Sequence, residues 1–365
     1  MLLEQLTCCY EDHPTATKVE SLFESIKSAE SQGLTLTGFS LTGGSSSPLF
    51  HKQLQPHDFL PICVFFCNHY HNLTFLDLSY NKLSDISLIT KVVSKTNLEK
   101  LVLKSNTFTS FTSLFQQLSR SNLTHLDISF NTITSEDGII LAGTLNSTKL
   151  RELYLSNCFV SSPVLFDLIS AAKTSFLTHL DVSDNYCNPF PSQLASCLSE
   201  YLVANIQLKF LNISGLGVTD FEFNNYLYYG LLQSKISSIN LSKSFLTEHT
   251  AEFIGLLLKS NEYLGEIFLD NCRLGDQGFV NLSTGLVTNS TLSTLSLRNN
   301  QCKSRGLLAL SNTLRGNSAL EYVYLAGNIF DDEVCRYWCL LLQLKPFVLD
   351  VGFIDDGGNA YVYNK

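Results

Sequence analysis

The sequence predicts an α/β solenoid: a horseshoe with short parallel strands on its concave face and helices on its convex face. Three observations predict it. The phrase Leu292-x-x-Leu295-x-Leu297-x-x-Asn300 returns 28 residues later as Leu320-x-x-Val323-x-Leu325-x-x-Asn328. Copies of it begin at Leu73, Leu98, Leu123, Leu150, Leu177, Leu208, Ile236, Leu264, Leu292 and Leu320, at spacings of 25 to 31 residues. Between copies the apolar residues switch to a helical spacing, as at Leu307, Leu308, Leu310 and Leu314. Alternation with period two marks a strand with one buried face, and the longer period marks a helix. One such unit cannot bury its apolar side alone, whereas stacked units can. Helices are wider than strands, so the stack must curve with its strands inside.

In chain order, residues 1–33 form an expected N-terminal capping region. Its helical pattern runs from Lys18 to Ser31, with Val19, Leu22, Phe23 and Ile26 on one face. Residues 34–72 hold a degenerate first copy, Leu36-x-x-Phe39-x-Leu41-x-x-Gly44. A Gly/Ser loop from Gly43 to Ser47 follows, then a long insert with a helix near His57 to His69. The regular array spans 73–344. Its turn position reads Asn81, Asn106, Asn131, Cys158, Asn185, Leu216, Ser244, Cys272, Asn300 and Asn328. An Asn side chain there can bond backbone groups that the turn leaves unpaired. Helices are expected over Ser110–Ser119, Ser135–Leu145, Pro163–Lys173, Gln193–Val203, Asp220–Gln233, Thr247–Lys259, Asp276–Val287, Ser304–Asn317 and Asp331–Leu344. Residues 345–365 read as a C-terminal cap: a strand over Phe347–Val351, then a hairpin that turns at Asp355–Asn359.

A globular chain of 365 residues would normally split into domains, a limit that a solenoid escapes. The net charge of −9 is spread along the chain and argues against nucleic acid or an anionic membrane as partner. It favours a basic surface on a protein partner. The first residues lack the pattern of a signal peptide, and no run reaches the roughly 18 apolar residues of a membrane span. Of the eleven cysteines, Cys158 and Cys272 take the turn position, and Cys187 and Cys302 take the last apolar position. Reduced thiols in the cytoplasm fit this usage better than a disulfide framework. No phosphate-binding loop, zinc-protease motif, nucleophile elbow or dinucleotide fingerprint occurs, so neither an enzyme nor a cofactor is expected.

The outward-facing strand positions are the candidate functional residues. The middle column reads Asp77, Val102, Asp127, Tyr154, Asp181, Asn212, Asn240, Phe268, Ser296 and Tyr324. The column two residues earlier reads Phe75, Lys100, His125, Glu152, His179, Phe210, Ser238, Glu266, Thr294 and Tyr322, and the one two later is rich in serine. Two patches emerge. One is acidic with an aromatic: Asp127, Glu152, Tyr154, Asp181 and Asp184. The other comprises Glu266, Phe268, Asp270, Arg298, Tyr322 and Tyr324. Exposed aromatics and arginine beside carboxylates are what protein interfaces use as anchors, although each residue alone is ordinary surface. His125, Glu152 and His179 stand in one column. A hydrogen-bonded row that tunes local charge is the simpler reading, and convergence on a metal the rarer one.

Units of about 28 residues with true helices and Asn or Cys at the turn resemble the leucine-rich repeats of the ribonuclease-inhibitor type. The resemblance covers roughly residues 34–350. It implies a scaffold for binding proteins, shared with the sensor arrays of NOD-like receptors, with Ran GTPase-activating protein and with actin-capping regulators. The expected function is a non-catalytic, monomeric scaffold that takes one protein partner on its concave face. The alternatives are a GTPase activator of the Ran type, or the sensor array of an immune-type receptor or pathogen effector. No catalytic residue of the Ran type can be matched, and neither a strongly acidic tail nor a loop suited to enter a GTPase site stands out.

Overall fold

A computed structural model describes residues 6–7, 26, 28–29, 31–33, 37–43, 53–345, 347–355 and 360–364. Most of the capping helix expected over 18–31 and of the loop over 43–47 lies outside these residues, as does 356–359 of the hairpin turn. The chain divides into two compact units, Met1–Leu180 and Asp181–Lys365. Each is an α/β solenoid of parallel strands alternating with helices.

In the first unit, strands β1 (Leu6–Thr7), β2 (Gly38–Ser40), β3 (Phe75–Asp77), β4 (Lys100–Val102), β5 (His125–Asp127) and β6 (Glu152–Tyr154) pair in sequence order, all parallel. Strand β7 (His179–Asp181) contains the division between the units. In the second unit, β8 (Phe210–Asn212), β9 (Ser238–Asn240), β10 (Glu266–Phe268), β11 (Thr294–Ser296), β12 (Tyr322–Tyr324) and β13 (Val348–Leu349) pair in the same way. Strands β14 (Val351–Asp355) and β15 (Ala360–Asn364) form an antiparallel pair. Strands β2 to β12 are three residues long because only the Leu-x-Leu core of each phrase alternates. Leu73, Leu76 and Leu78 are wholly buried, as are Leu292, Leu295 and Leu297.

Each phrase ends in the same turn. The residue before the Asn position has a positive φ in all ten copies, from 51° at Asn157 to 77° at Gly327. Only Gly215 and Gly327 are glycines; the rest accept a left-handed conformation that costs an L-residue roughly 1–2 kcal/mol. The turn is held by the next side chain. Asn131 Nδ2 donates to Ile128 O in its own unit at 2.9 Å and to Leu103 O of the preceding unit at 3.0 Å. Its Oδ1 accepts Asn106 N at 3.2 Å. Asn300 likewise reaches Leu269 O at 2.8 Å, and Asn328 reaches Leu297 O at 2.9 Å. Cysteine does the donor half of this: Cys158 Sγ donates to Ile128 O at 3.3 Å. Ser244, whose side chain is shorter, leaves its buried hydroxyl without a partner.

The helices fall where the apolar period places them, for example Glu248–Ser260, Gly275–Leu286 and Ser304–Gly316. The first two touch backbone to backbone, since a Cβ on Gly285 would stand 2.2 Å from Gly255 O. One helix departs from plain α geometry. Within 220–233, residues Phe223–Leu227 form a π-helical turn. The last helix, Asp332–Leu344, buries Trp338 completely, with its ring stacked 5.9 Å from Phe353. No described helix is long and apolar enough to cross a membrane.

Candidate functional site

Register decides which outward side chains stand together. In the first unit His125 is opposite Glu152, and Asp127 is opposite Tyr154. His125 Nδ1 lies 2.7 Å from Glu152 Oε2, and Tyr154 Oη donates to the same oxygen at 3.1 Å. The His125 and Tyr154 rings are 5.1 Å apart. Burial pushes the His125 pKa below its ordinary value, and the bond to Glu152 only partly opposes this. A carboxylate only accepts, so the contact is a hydrogen bond from His125 Nδ1–H to Glu152. Burial would raise the Glu152 pKa, but the bonds from His125 and Tyr154 outweigh it and hold the carboxyl below the usual range. His179 Nδ1 lies 2.9 Å from Thr178 Oγ1. Among the described residues no three His, Cys, Asp or Glu side chains are grouped to hold a metal ion.

Asp127 has a second occupation. Its Oδ1 accepts Ser129 N at 2.9 Å. The same bond runs from Ser79 N to Asp77, from Ser183 N to Asp181, from Ser214 N to Asn212 and from Ser242 N to Asn240. An Asp or Asn two residues before a serine thus satisfies the N–H that the strand leaves over as it turns. The sequence carried this signal as Asp-x-Ser and Asn-x-Ser. The serine-rich column, expected at the surface, is turned in by it: Ser79, Ser129, Ser183, Ser214 and Ser242 are all buried.

In the second unit Glu266, Thr294 and Tyr322 are in register, as are Phe268, Ser296 and Tyr324. Thr294 and Ser296 are small and buried between Glu266 and Phe268 on one side and Tyr322 and Tyr324 on the other. Tyr322 is 40% exposed. Arg298 sits at one end, its guanidinium 4.3 Å from the centre of the Tyr324 ring. Its Nε donates to Asp350 Oδ2 at 2.7 Å, and its Nη1 lies 3.5 Å from Asp270 Oδ2. Asp270 Oδ1 also accepts Ser296 Oγ at 2.5 Å and Arg298 N at 2.8 Å. Arg298 and Asp270 are therefore engaged inside the protein, while the Glu266 carboxylate makes no hydrogen bond or ion pair among the described residues. Sequence reasoning missed Asp350, which lies 52 residues from Arg298 and outside the repeat phrase. Asp181 belongs to this unit, where Asn212 Nδ2 donates to it at 3.0 Å, and Asp184 pairs with Lys243 at 3.0 Å.

A family model for the leucine-rich repeat matches residues 69–90 and 120–142. The chain is 31% identical over 112 residues to leucine-rich repeat-containing protein 45 of Gallus gallus, covering 30% of this chain and 17% of that protein. It is 28% identical over 173 residues to the ribonuclease inhibitor of Sus scrofa, covering 47% of this chain and 36% of that one. Among solved structures, an internalin of Listeria monocytogenes aligns with a TM-score of 0.41 at 18% identity, covering 74% of this chain and 84% of the other. The chain matches well under half the length of either curated relative. Strand–helix units whose Asn or Cys reaches back to the preceding unit, together with the family model and the two curated relatives, make this chain a leucine-rich repeat protein with repeats of the ribonuclease-inhibitor type.

Proposed function

We propose that the protein is a non-catalytic scaffold that binds a protein partner through its strand face. The aromatic cluster in the second unit carries this reading. Phe268, Tyr322 and Tyr324 flank the small, buried Thr294 and Ser296, and the unpaired charge beside them, Glu266, is a carboxylate. Partly exposed aromatics grouped on one surface are what interfaces use as anchors. The partner is a protein with a basic contact surface, matched to Glu266 and to the acidic balance of the chain. Phe268, Tyr322 and Tyr324 supply apolar contact, with Tyr324 held in place by Arg298. In the first unit the partner surface is Asp127, Glu152 and Tyr154, and Asp181 adds a carboxylate in the second. The test is affinity capture from native cytosol with the wild type beside a Phe268/Tyr322/Tyr324 triple alanine variant. A partner lost only from the variant, with both proteins melting cooperatively, supports the reading. Equal recovery from both would remove this aromatic cluster from the binding surface.

A further inference from the structure

Among the described residues, the strand face holds one buried polar group that nothing satisfies. Ser238 is in the outward column of β9, between Phe210 on β8 and Glu266 on β10. It is only 6% exposed, and its Oγ has no hydrogen-bond partner. Two other outward polar residues of this face have found one: Asn240 is bonded to Ser242 N, and Ser296 to Asp270. A buried hydroxyl without a partner costs stability, so an unused one on a working face points to a ligand that completes it. The group beside it is Glu266, the carboxylate that also lacks a partner.

We propose that Ser238 and Glu266 form a subsite for a lysine side chain of the protein partner, its ammonium bridging the hydroxyl and the carboxylate. This rests on the reading of the strand face as the partner surface. Adjacent parallel strands hold the backbones of the two residues about 4.8 Å apart, in register. An ammonium carries three donors on one nitrogen and can bond a hydroxyl and a carboxylate together, whereas a planar guanidinium is best matched to a bidentate carboxylate. Phe210 and Phe268 stand on either side of β9 and give the aliphatic stem an apolar lining. The cation already near this face, Arg298, is committed to Asp270 and Asp350 and leaves Glu266 unneutralised.

The probe is a fluorescein-labelled peptide of alternating glycine and lysine, titrated onto the full chain by fluorescence anisotropy at low salt. Its Nε-acetylated and arginine counterparts are measured beside it. The lysine peptide is expected to bind at least tenfold more weakly to Glu266→Gln, because a charge-assisted bond is lost. Ser238→Ala removes a hydroxyl unsatisfied in the free protein, so it should fold at least as well as the wild type and still bind several-fold more weakly. Acetylation should abolish binding, and arginine should bind less well than lysine. Glu252→Gln, on an exposed helix face, should change nothing. Equal affinity for wild type and Glu266→Gln, tighter binding of the arginine peptide, or an equal loss with Glu252→Gln would each overturn the subsite. If the captured partner is lost from the triple alanine variant but kept by Glu266→Gln, the subsite fails and the scaffold reading stands.

Discussion

Asp137 Oδ1 accepts the backbone N–H of Phe111 at 2.8 Å, so a carboxylate on one repeat's helix caps the helix of the repeat before it. The same oxygen accepts Ser110 Oγ at 3.0 Å and Thr112 Oγ1 at 2.9 Å. The other oxygen accepts Thr134 N at 3.1 Å and Thr134 Oγ1 at 2.7 Å, closing a capping box on its own helix. Asp137 is wholly buried. Burial raises its pKa, but these bonds outweigh it and hold the carboxyl below the usual range.

Removing that carboxylate should uncap two helices at once. Asp137→Ala is expected to lower stability by about 3 kcal/mol, since buried N–H groups lose their acceptor. Urea unfolding followed by circular dichroism measures it. A midpoint within error of the wild type would show that water or neighbouring side chains replace the cap.

The unpartnered turn hydroxyl gives a gain-of-stability prediction. Ser244→Asn would add the amide that elsewhere reaches two carbonyls, here Ile213 O of the preceding unit and Leu241 O of its own. It should stabilise by about 1 kcal/mol and raise Tm. An unchanged or lower Tm would mean that the turn at Ser244 has closed too tightly for the longer side chain.

His125 sets a pH dependence. Its folded pKa lies below the ordinary 6.5, so between the two values the unfolded chain carries the extra proton. Stability from this group is therefore fully present above about pH 6.5 and is lost as pH falls through the folded value. Glu152, also depressed, adds to the loss at lower pH. Urea midpoints for wild type and His125→Asn between about pH 7.5 and 5 should converge as pH falls. Parallel lines would show that another group titrates.

How far the sequence reaches differs from residue to residue. Leu295 and Leu297 are buried because alternation names the inward side before any fold is known. Asn300 bonds backbone groups at its turn, as its place in the phrase predicts. Asp127 shows where reading stopped short: its place on the strand face was legible, its bond to Ser129 N was written as Asp-x-Ser, and the two signals compete for one side chain. Arg298 shows a different limit. Nothing near it in sequence indicates Asp350, because their contact needs the end of the chain folded beside β11 and β12.

By itself the sequence determined the repeat unit, its strand and helix phases and the inward face of each. These depend on interactions within about ten residues and on a period that burial must respect. Only the tertiary structure decided which outward groups are spent inside the protein and which are left over. Ser296, Asp270 and Arg298 satisfy one another and Asp350, while Ser238 and Glu266 remain unsatisfied. That sorting turns on distances of a few ångströms between residues 26 to 52 positions apart, and a hydrogen bond forms only when such distances are met.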